Sequence, residues 1–374
     1  MKQCFSLILC VILFICPICV NAAEAPETGA EAYVLYCADS GEIIAEKNAG
    51  KRMKPASTTK LMTTLLTLEQ AAKGNEVVTF TDDMIAEGSS MYLKTGEKVT
   101  LKDLAAGMMM SSGNDAAKTA ALTLAEDEKA FSRLMNARAE KIGMKNTHFV
   151  TASGLDDEEH YSTAYDLALL MNEGLKNEAF RQLTAQKSAL VAFTEPSDKR
   201  VTYNNHNRLL SLYEHCIGGK TGYTIAAGRC LVSAAEKDGV TLICVTLNDR
   251  SDWDDHIKLY DYGFSRTAVY RSPDASFRAE VPVVGGEQKS VTVKGERDFS
   301  LPVSADDKDK IERKVLLDRF LYAPVNEGQE VGRIEYTLNG KRVGGTPLRA
   351  ASAAAARRTD GGFWEWIKGI ISHG

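Results

Sequence analysis

The feature that most constrains the fold is a pair of strand-like segments at each end of a long helical stretch. Ala32 to Cys37 and Glu42 to Lys47 are short alternating runs around Asp39-Ser40-Gly41-Glu42, which reads as a hairpin. Gly228 to Ala235 and Val240 to Leu247 are joined through Asp238-Gly239, a strong two-residue turn signal. Between the pairs, Pro55-Ala56-Ser57 opens a helix expected to run to about Leu68, with Pro tolerated in the first turn. Helical patterns follow from Leu101 to Leu124, Asp127 to Ile142 and Thr163 to Asn177, with a last one from Asp254 to Phe264. Strands so far apart can meet in one antiparallel sheet with helices packed on its faces. The expectation is an α+β domain over residues 23–267.

Beyond Arg271 the texture changes. Val281 and Val283, Val291 and Val293, then Phe299, Leu301 and Val303 alternate with polar residues, and Ile334-x-Tyr336-x-Leu338 runs into Asn339-Gly340. This predicts a small β-rich domain over 268–350. Residues 351–374 read as an Ala- and Arg-containing linker and a tail, in which Phe363, Trp366, Ile367, Ile370 and Ile371 form an apolar stripe at helical spacing. Such a stripe suits a bilayer interface; a partner-binding helix and a frayed end are the alternatives. At the other end, Lys2, an apolar run from Phe5 to Val20 and the small residues around Ala22 have the three parts of a secretory signal, with residues 1–22 removed and export implied. An uncleaved anchor is the alternative there, although the run is shorter than the about 20 residues of a membrane span.

With 374 residues and a formal net charge of −5, the chain has room for two domains and no basic field to recruit nucleic acid. Of its 8 Cys, those outside the signal (Cys37, Cys216, Cys230 and Cys244) lack CxxC or zinc-like spacing. Cys230 and Cys244 fall on adjacent predicted strands, so both a disulfide and buried free thiols remain open. The 6 His are scattered without HExxH, and neither metal nor cofactor is expected.

Three short elements carry chemistry. Ser57-Thr58-Thr59-Lys60 places a hydroxyl and an amine one helical turn apart on one face. A serine needs a base to become a nucleophile, and lysine can be that base once desolvation or a second cation lowers its pKa. Taken alone, the tetrad is common on helix surfaces. Ser112-Gly113-Asn114 adds polar groups and a glycine to an apolar helical stretch, where they are costly unless they line something; the alternative is a loop capped by Asn114 or Asp115. Lys-Thr-Gly occurs twice. Lys94-Thr95-Gly96 sits in a polar turn and reads as a plain loop. Lys220-Thr221-Gly222, flanked by Gly218-Gly219 and Tyr223, suits a strand edge along which an extended peptide could lie.

In this order the three elements resemble the penicillin-binding protein and serine β-lactamase superfamily. The segments Gly88-Ser89-Ser90-Met91, Gly143-Met144-Lys145-Asn146-Thr147-His148-Phe149, His160-Tyr161-Ser162-Thr163-Ala164 and Gly219-Lys220-Thr221-Gly222-Tyr223-Thr224 are similar to the low-molecular-weight D-alanyl-D-alanine carboxypeptidases. The resemblance implies a penicillin-binding-protein fold, with a C-terminal β-rich domain and an amphipathic tail. Its implied substrate is a peptidoglycan stem peptide ending in D-Ala-D-Ala, with β-lactams as covalent inhibitors and the membrane surface as a partner of the tail. It implies Ser57 as nucleophile, Lys60 as base, Ser112 as proton relay, and Asn114 as holder of the substrate amide. Lys220 would supply positive charge, Thr221 would bind the terminal carboxylate, and the N–H groups of Ser57 and Tyr223 would form the oxyanion hole beside Gly222. Arg250, after the strand ending at Leu247, matches the position of an arginine that faces the carboxylate. His148, His160 and His206 are expected to be structural.

Competing readings are a β-lactamase, a D,D-endopeptidase and an inactive wall-binding module. The acidic stretch Asp156 to Glu159 lacks the Glu-x-x-Leu-Asn pattern of the first, and the intact motifs argue against the last.

Overall fold

The computed structural model describes residues 24–357; the segment read as a secretory signal and the apolar stripe read as a membrane-associating tail lie outside the described residues. In chain order, β1 (Ala32–Cys37) and β2 (Ile43–Lys47) form the first hairpin. A 3-10 turn over Ala56–Thr59 leads into α1 (Lys60–Ala71), and β3 (Val77–Thr79) pairs with β4 (Lys98–Thr100). Then come α2 (Leu101–Met110), α3 (Asn114–Leu124), α4 (Glu128–Ile142), α5 (Ala164–Leu175) and α6 (Glu178–Thr184). A ribbon of β5 (Ser188–Ala192) and β6 (Arg200–Asn204) and a short α7 (Leu209–Leu212) precede β7 (Cys216–Thr224), β8 (Gly228–Lys237), β9 (Val240–Leu247) and α8 (Asp252–Arg266).

The central sheet runs β2-β1-β9-β8-β7, with every neighbouring pair antiparallel. Strand β1 is buried at every position, because the sheet is covered on both sides. Ala32, Val34 and Tyr36 face the large cluster that includes Leu61, Leu104 and Leu167, whereas Tyr33, Leu35 and Cys37 face Leu259 and Tyr260 of α8. The same alternation settles the thiols. Cys230 lies in the first cluster and Cys244 in the second, on opposite faces of the sheet, and all four described cysteines are free.

The predicted helix from Leu101 to Leu124 is two helices. It breaks at Ser112, which adopts a left-handed φ of 58°, and Asn114 begins α3. The Asp238-Gly239 hairpin has φ of 53° and 84°, as a two-residue turn with both central residues left-handed requires.

The remaining strands are β10 (Thr267–Ser272), β11 (Arg278–Val284), β12 (Ser290–Gly295), β13 (Phe299–Ser304), β14 (Ile311–Leu317), β15 (Leu321–Tyr322), β16 (Glu330–Leu338) and β17 (Lys341–Ala350). Their main sheet has the order β14-β16-β17-β12-β11-β15, and β10 pairs with β13. Val281, Val291, Ile334, Tyr336 and Leu348 form a core separate from that of the first sheet. Ala354 and Ala356 still bridge to Val325 and Gly286, so the chain follows this sheet past residue 350.

Candidate active site

Strand β7 is the edge of the central sheet, and the turn carrying Ser57 packs against it. The contact is close enough to demand glycine. A Cβ on Gly222 would stand 2.9 Å from the Ser57 nitrogen and 3.0 Å from that of Thr58. Ala56, just before Ser57, is held at φ 48°, a strained value for a residue with a side chain. Pro55 and Thr58 hold the turn through a hydrogen bond from Thr58 Oγ1 to the Pro55 carbonyl at 2.7 Å. Thr59 Oγ1 meets His160 Nε2 at 2.9 Å. His160 Nδ1 accepts from the Val150 and Thr151 amides at 3.0 and 3.2 Å, so the proton sits on Nε2. His160 is a brace, as expected, and burial pushes its pKa down to about 4.

Lys60 is wholly buried at the start of α1. Its Nζ lies 2.9 Å from Ser57 Oγ, 2.7 Å from Asn114 Oδ1 and 2.7 Å from the Ser153 carbonyl. No carboxylate touches it. Burial, followed by the nearby charge of Lys220, pushes its pKa well below the ordinary lysine range, against a smaller opposing pull from Asp115. Lys220, also buried, donates to Ser112 Oγ at 3.1 Å and to the Thr221 carbonyl at 2.8 Å, and burial brings its pKa down to about 7. Asp115 accepts from Met91 N, Leu93 N and Ser90 Oγ, which fixes the Ser89-Ser90 loop across the cleft.

These groups border a cleft of about 490 Å³. Ser57, Ser112, Thr221, Gly222 and Tyr223 line it, so the three motifs converge as their order suggested. The Asn114 side chain accepts from Lys60 on Oδ1 and donates through Nδ2 to the Glu87 carbonyl at 2.7 Å. One residue is placed differently from the sequence expectation. Arg250 is exposed in the turn after β9 and is not part of the cleft wall. That turn directs buried Asp249 inward, where its Oδ1 accepts from Ser251 N at 2.9 Å. The arginine on the wall is Arg229, with Asp252 and Trp253; Ser89 and His206 also line it. Residue spacing does not reveal Arg229, because its place depends on the β7–β8 register, in which it stands opposite Tyr223. Lys94-Thr95-Gly96 is the plain loop expected, with Thr95 Oγ1 bound to Asp82 and Gly96 at φ 89°. Among the described residues no group of His, Cys, Asp and Glu is placed to hold a metal.

A serine hydroxyl against a buried, charge-depressed lysine, on a cleft walled by an open strand edge, is the arrangement that an active-site serine hydrolase with a lysine base requires. Comparison with known proteins specifies the class. The family model for D-alanyl-D-alanine carboxypeptidase matches residues 19–251, and that for the C-terminal domain of penicillin-binding protein 5 matches 264–355. The chain is 32% identical to the D-alanyl-D-alanine carboxypeptidase DacF of Bacillus subtilis, over 86% of this chain and 85% of that one. It is 33% identical to DacC of Escherichia coli over 93% and 90%, respectively. Its structure is similar to that of penicillin binding protein 5 from Haemophilus influenzae, with a TM-score of 0.68 and 27% identity over 89% of this chain and 99% of that one. The chain belongs to the D-alanyl-D-alanine carboxypeptidase family and is a hydrolase of that kind.

Proposed function

We propose that the chain removes the terminal D-alanine of peptidoglycan stem peptides through an acyl-enzyme on Ser57. The observation that carries this reading is the buried Lys60 amine 2.9 Å from Ser57 Oγ, where burial and Lys220 outweigh the pull of Asp115 toward the charged form. A neutral amine has two N–H groups and one lone pair. The Asn114 Oδ1 and Ser153 carbonyl oxygens can only accept, so they take the two N–H groups and leave the lone pair for the Ser57 proton.

In the acylation step the Ser57 proton passes to Lys60 as Oγ attacks the carbonyl carbon between the two D-alanines. The resulting oxyanion is received by the N–H groups of Ser57 and Tyr223, and fixed donors of this kind contribute about 3–4 kcal/mol each. The C–N bond then breaks. The leaving amine takes a proton delivered through Ser112, whose hydroxyl is bound to Lys220. Water hydrolyses the ester and restores Ser57. An extended peptide can lie against β7 because, among the described residues, that strand has no partner on its outer side in the sheet. Penicillins would acylate the same hydroxyl.

The decisive experiment measures free D-alanine from a D-Ala-D-Ala-terminated peptide. Wild type releases it and is labelled by fluorescent penicillin, and Ser57→Ala does neither. Unchanged release by Ser57→Ala would overturn the assignment.

The signal-like pattern in residues 1–22 supports action outside the cytoplasm, and the apolar stripe from Phe363 to Ile371 supports attachment to a membrane surface. Among the described residues no helix is long and apolar enough to cross a membrane. Sedimentation with anionic lipid vesicles tests attachment: the full chain co-sediments, and a chain ending at residue 357 stays in solution.

A further inference from the structure

The outward face of the β-rich half is polar except at one edge. On β12 and β16 the residues that alternate with the core are Thr292, Lys294, Arg333, Glu335 and Thr337, as a sheet with one wet face requires. At the β11–β15 edge that pattern breaks. Leu321 packs against the core that holds Val281 and Val283, but Val284, Phe320 and Tyr322 are 49%, 46% and 71% exposed. Val284 stands beside Tyr322 in the ladder, and the Phe320 and Tyr322 rings meet edge to face with centroids 5.4 Å apart. The three side chains therefore form one apolar patch, continued along the two strands by exposed Pro282 and Pro324.

The place where the chain leaves the sheet points to the occupant. Ala354 pairs with Val325, and the Arg357 amide donates to the Gly285 carbonyl at 2.8 Å, one residue past Val284. Residues 358–374 thus start beside the patch. Their apolar stripe begins at Phe363, and the chain between Arg357 and Phe363 spans at most about 20 Å. A bilayer that receives the stripe must therefore lie close to the patch. Exposed Lys289, Arg319 and Arg357 flank it, outnumbering Glu287 and Asp318, and an aromatic cluster bordered by cations suits an anionic headgroup layer. A second copy of the chain is the poorer fit, because β15 is two residues long and runs into Pro324, which blunts edge-to-edge pairing.

We propose that Val284, Phe320 and Tyr322 insert among lipid headgroups, so that the β-rich half itself sits on the bilayer. The proposal rests on the reading of the stripe from Phe363 to Ile371 as a membrane-associating tail. The patch adds to the hold of the tail without replacing it. Two linked contacts also bind more tightly than either alone and fix an orientation that a single tether leaves free.

The test measures sedimentation of residues 23–374 with vesicles of phosphatidylcholine and phosphatidylglycerol. Phe320→Ser/Tyr322→Ser should bind about 10- to 100-fold more weakly than wild type, the range for two aromatic side chains partly withdrawn from an apolar phase. Val315→Ser, on β14 at the opposite edge of the sheet, should bind like wild type. Penicillin labelling and thermal unfolding in solution should match in all three proteins, because the altered side chains are exposed. Hydrogen exchange reads the wild type without substitution: amides around Val284 and Tyr322 should slow on vesicles, and those around Val315 should not. Undiminished vesicle binding by the double variant, or exchange near Tyr322 that ignores vesicles, overturns the proposal. So does lipid-free self-association that the double variant abolishes, which would assign the patch to a second copy. A wild-type chain that ignores vesicles altogether would remove the reading of the stripe first, and the proposal with it.

Discussion

Two sites, one in each half of the molecule, treat buried charge in opposite ways. In the β-rich half, Asp274 is buried but fully matched. Its Oδ1 accepts from Arg313 Nε and Nη2 at 3.1 and 3.0 Å and from Ser272 Oγ at 2.9 Å, and Oδ2 accepts from the Tyr336 hydroxyl. Tyr336 in turn stacks on Phe299 with centroids 3.9 Å apart. In the catalytic half, Lys60 and Lys220 are buried with hydroxyl and carbonyl neighbours and no touching anion. A buried ion that is paired and hydrogen-bonded holds a structure together, whereas one left unpaired surrenders its charge. The difference separates a group that stabilises from one kept reactive at a cost in stability.

Lys60→Met gives the largest test of that contrast. Loss of the base should lower the rate of penicillin acylation by about 10⁴-fold, the upper end for general-base catalysis. Stability should rise, because the unfolded chain carries a proton on Lys60 that the folded chain sheds. That linkage makes the wild type less stable as pH falls from lysine's ordinary 10.5 toward the lowered folded value. The advantage of Lys60→Met in urea unfolding should therefore be larger at pH 7 than at pH 10. An unstabilised Lys60→Met would break the comparison.

Asp274→Ala tests the other half. It should cost roughly 2–4 kcal/mol in urea unfolding, below the full value of a broken buried pair because the Arg313 side chain is 33% exposed and can turn to water. D-alanine release below the unfolding transition should be unchanged. Gly222→Ala should slow acylation by about tenfold to a hundredfold, because the added Cβ forces apart β7 and the Ser57 turn, and misplacement by about 1 Å costs on that order.

The smallest effect is acid sensitivity from buried neutral histidines. Burial lowers His256 to about 3 and His160 to about 4, so below pH 6.5 the unfolded chain binds protons that the folded chain refuses. Stability is then full above pH 6.5 and falls with decreasing pH toward these folded values, by up to about 1.4 kcal/mol per unit for each histidine. Thermal unfolding at pH 5 and pH 7 should show a smaller difference for His256→Gln than for wild type.

Much of this was legible in the sequence for identifiable reasons. The turns at Asp238-Gly239 and Asn339-Gly340 announce themselves because few residues accept left-handed φ at two successive positions, and both pairs adopt it. The three motifs could be assembled because each supplies a residue type that the chemistry requires. Other features depended on three-dimensional register. Ser112 looked like a polar interruption of one helix, but its left-handed backbone separates α2 from α3 and turns its hydroxyl to Lys220. The helix expected from Pro55 begins as a tighter 3-10 turn, which the packing of Ser57 on Gly222 accompanies. No spacing rule shows that Lys60 and the Glu87 carbonyl meet at the Asn114 amide. Arg229 escaped notice because only the pairing of β7 with β8 brings it beside Tyr223.

The order of strands in the central sheet also sets when the enzyme can become active. Ala32 pairs with Leu247, and Ser57 meets its strand partner only at Gly222. A chain growing from its N-terminus therefore carries Ser57 long before it carries the strand wall against which Ser57 packs. Contacts between such distant segments form late and slowly. On the proposed role of Ser57, the site is therefore complete only once the sheet has closed.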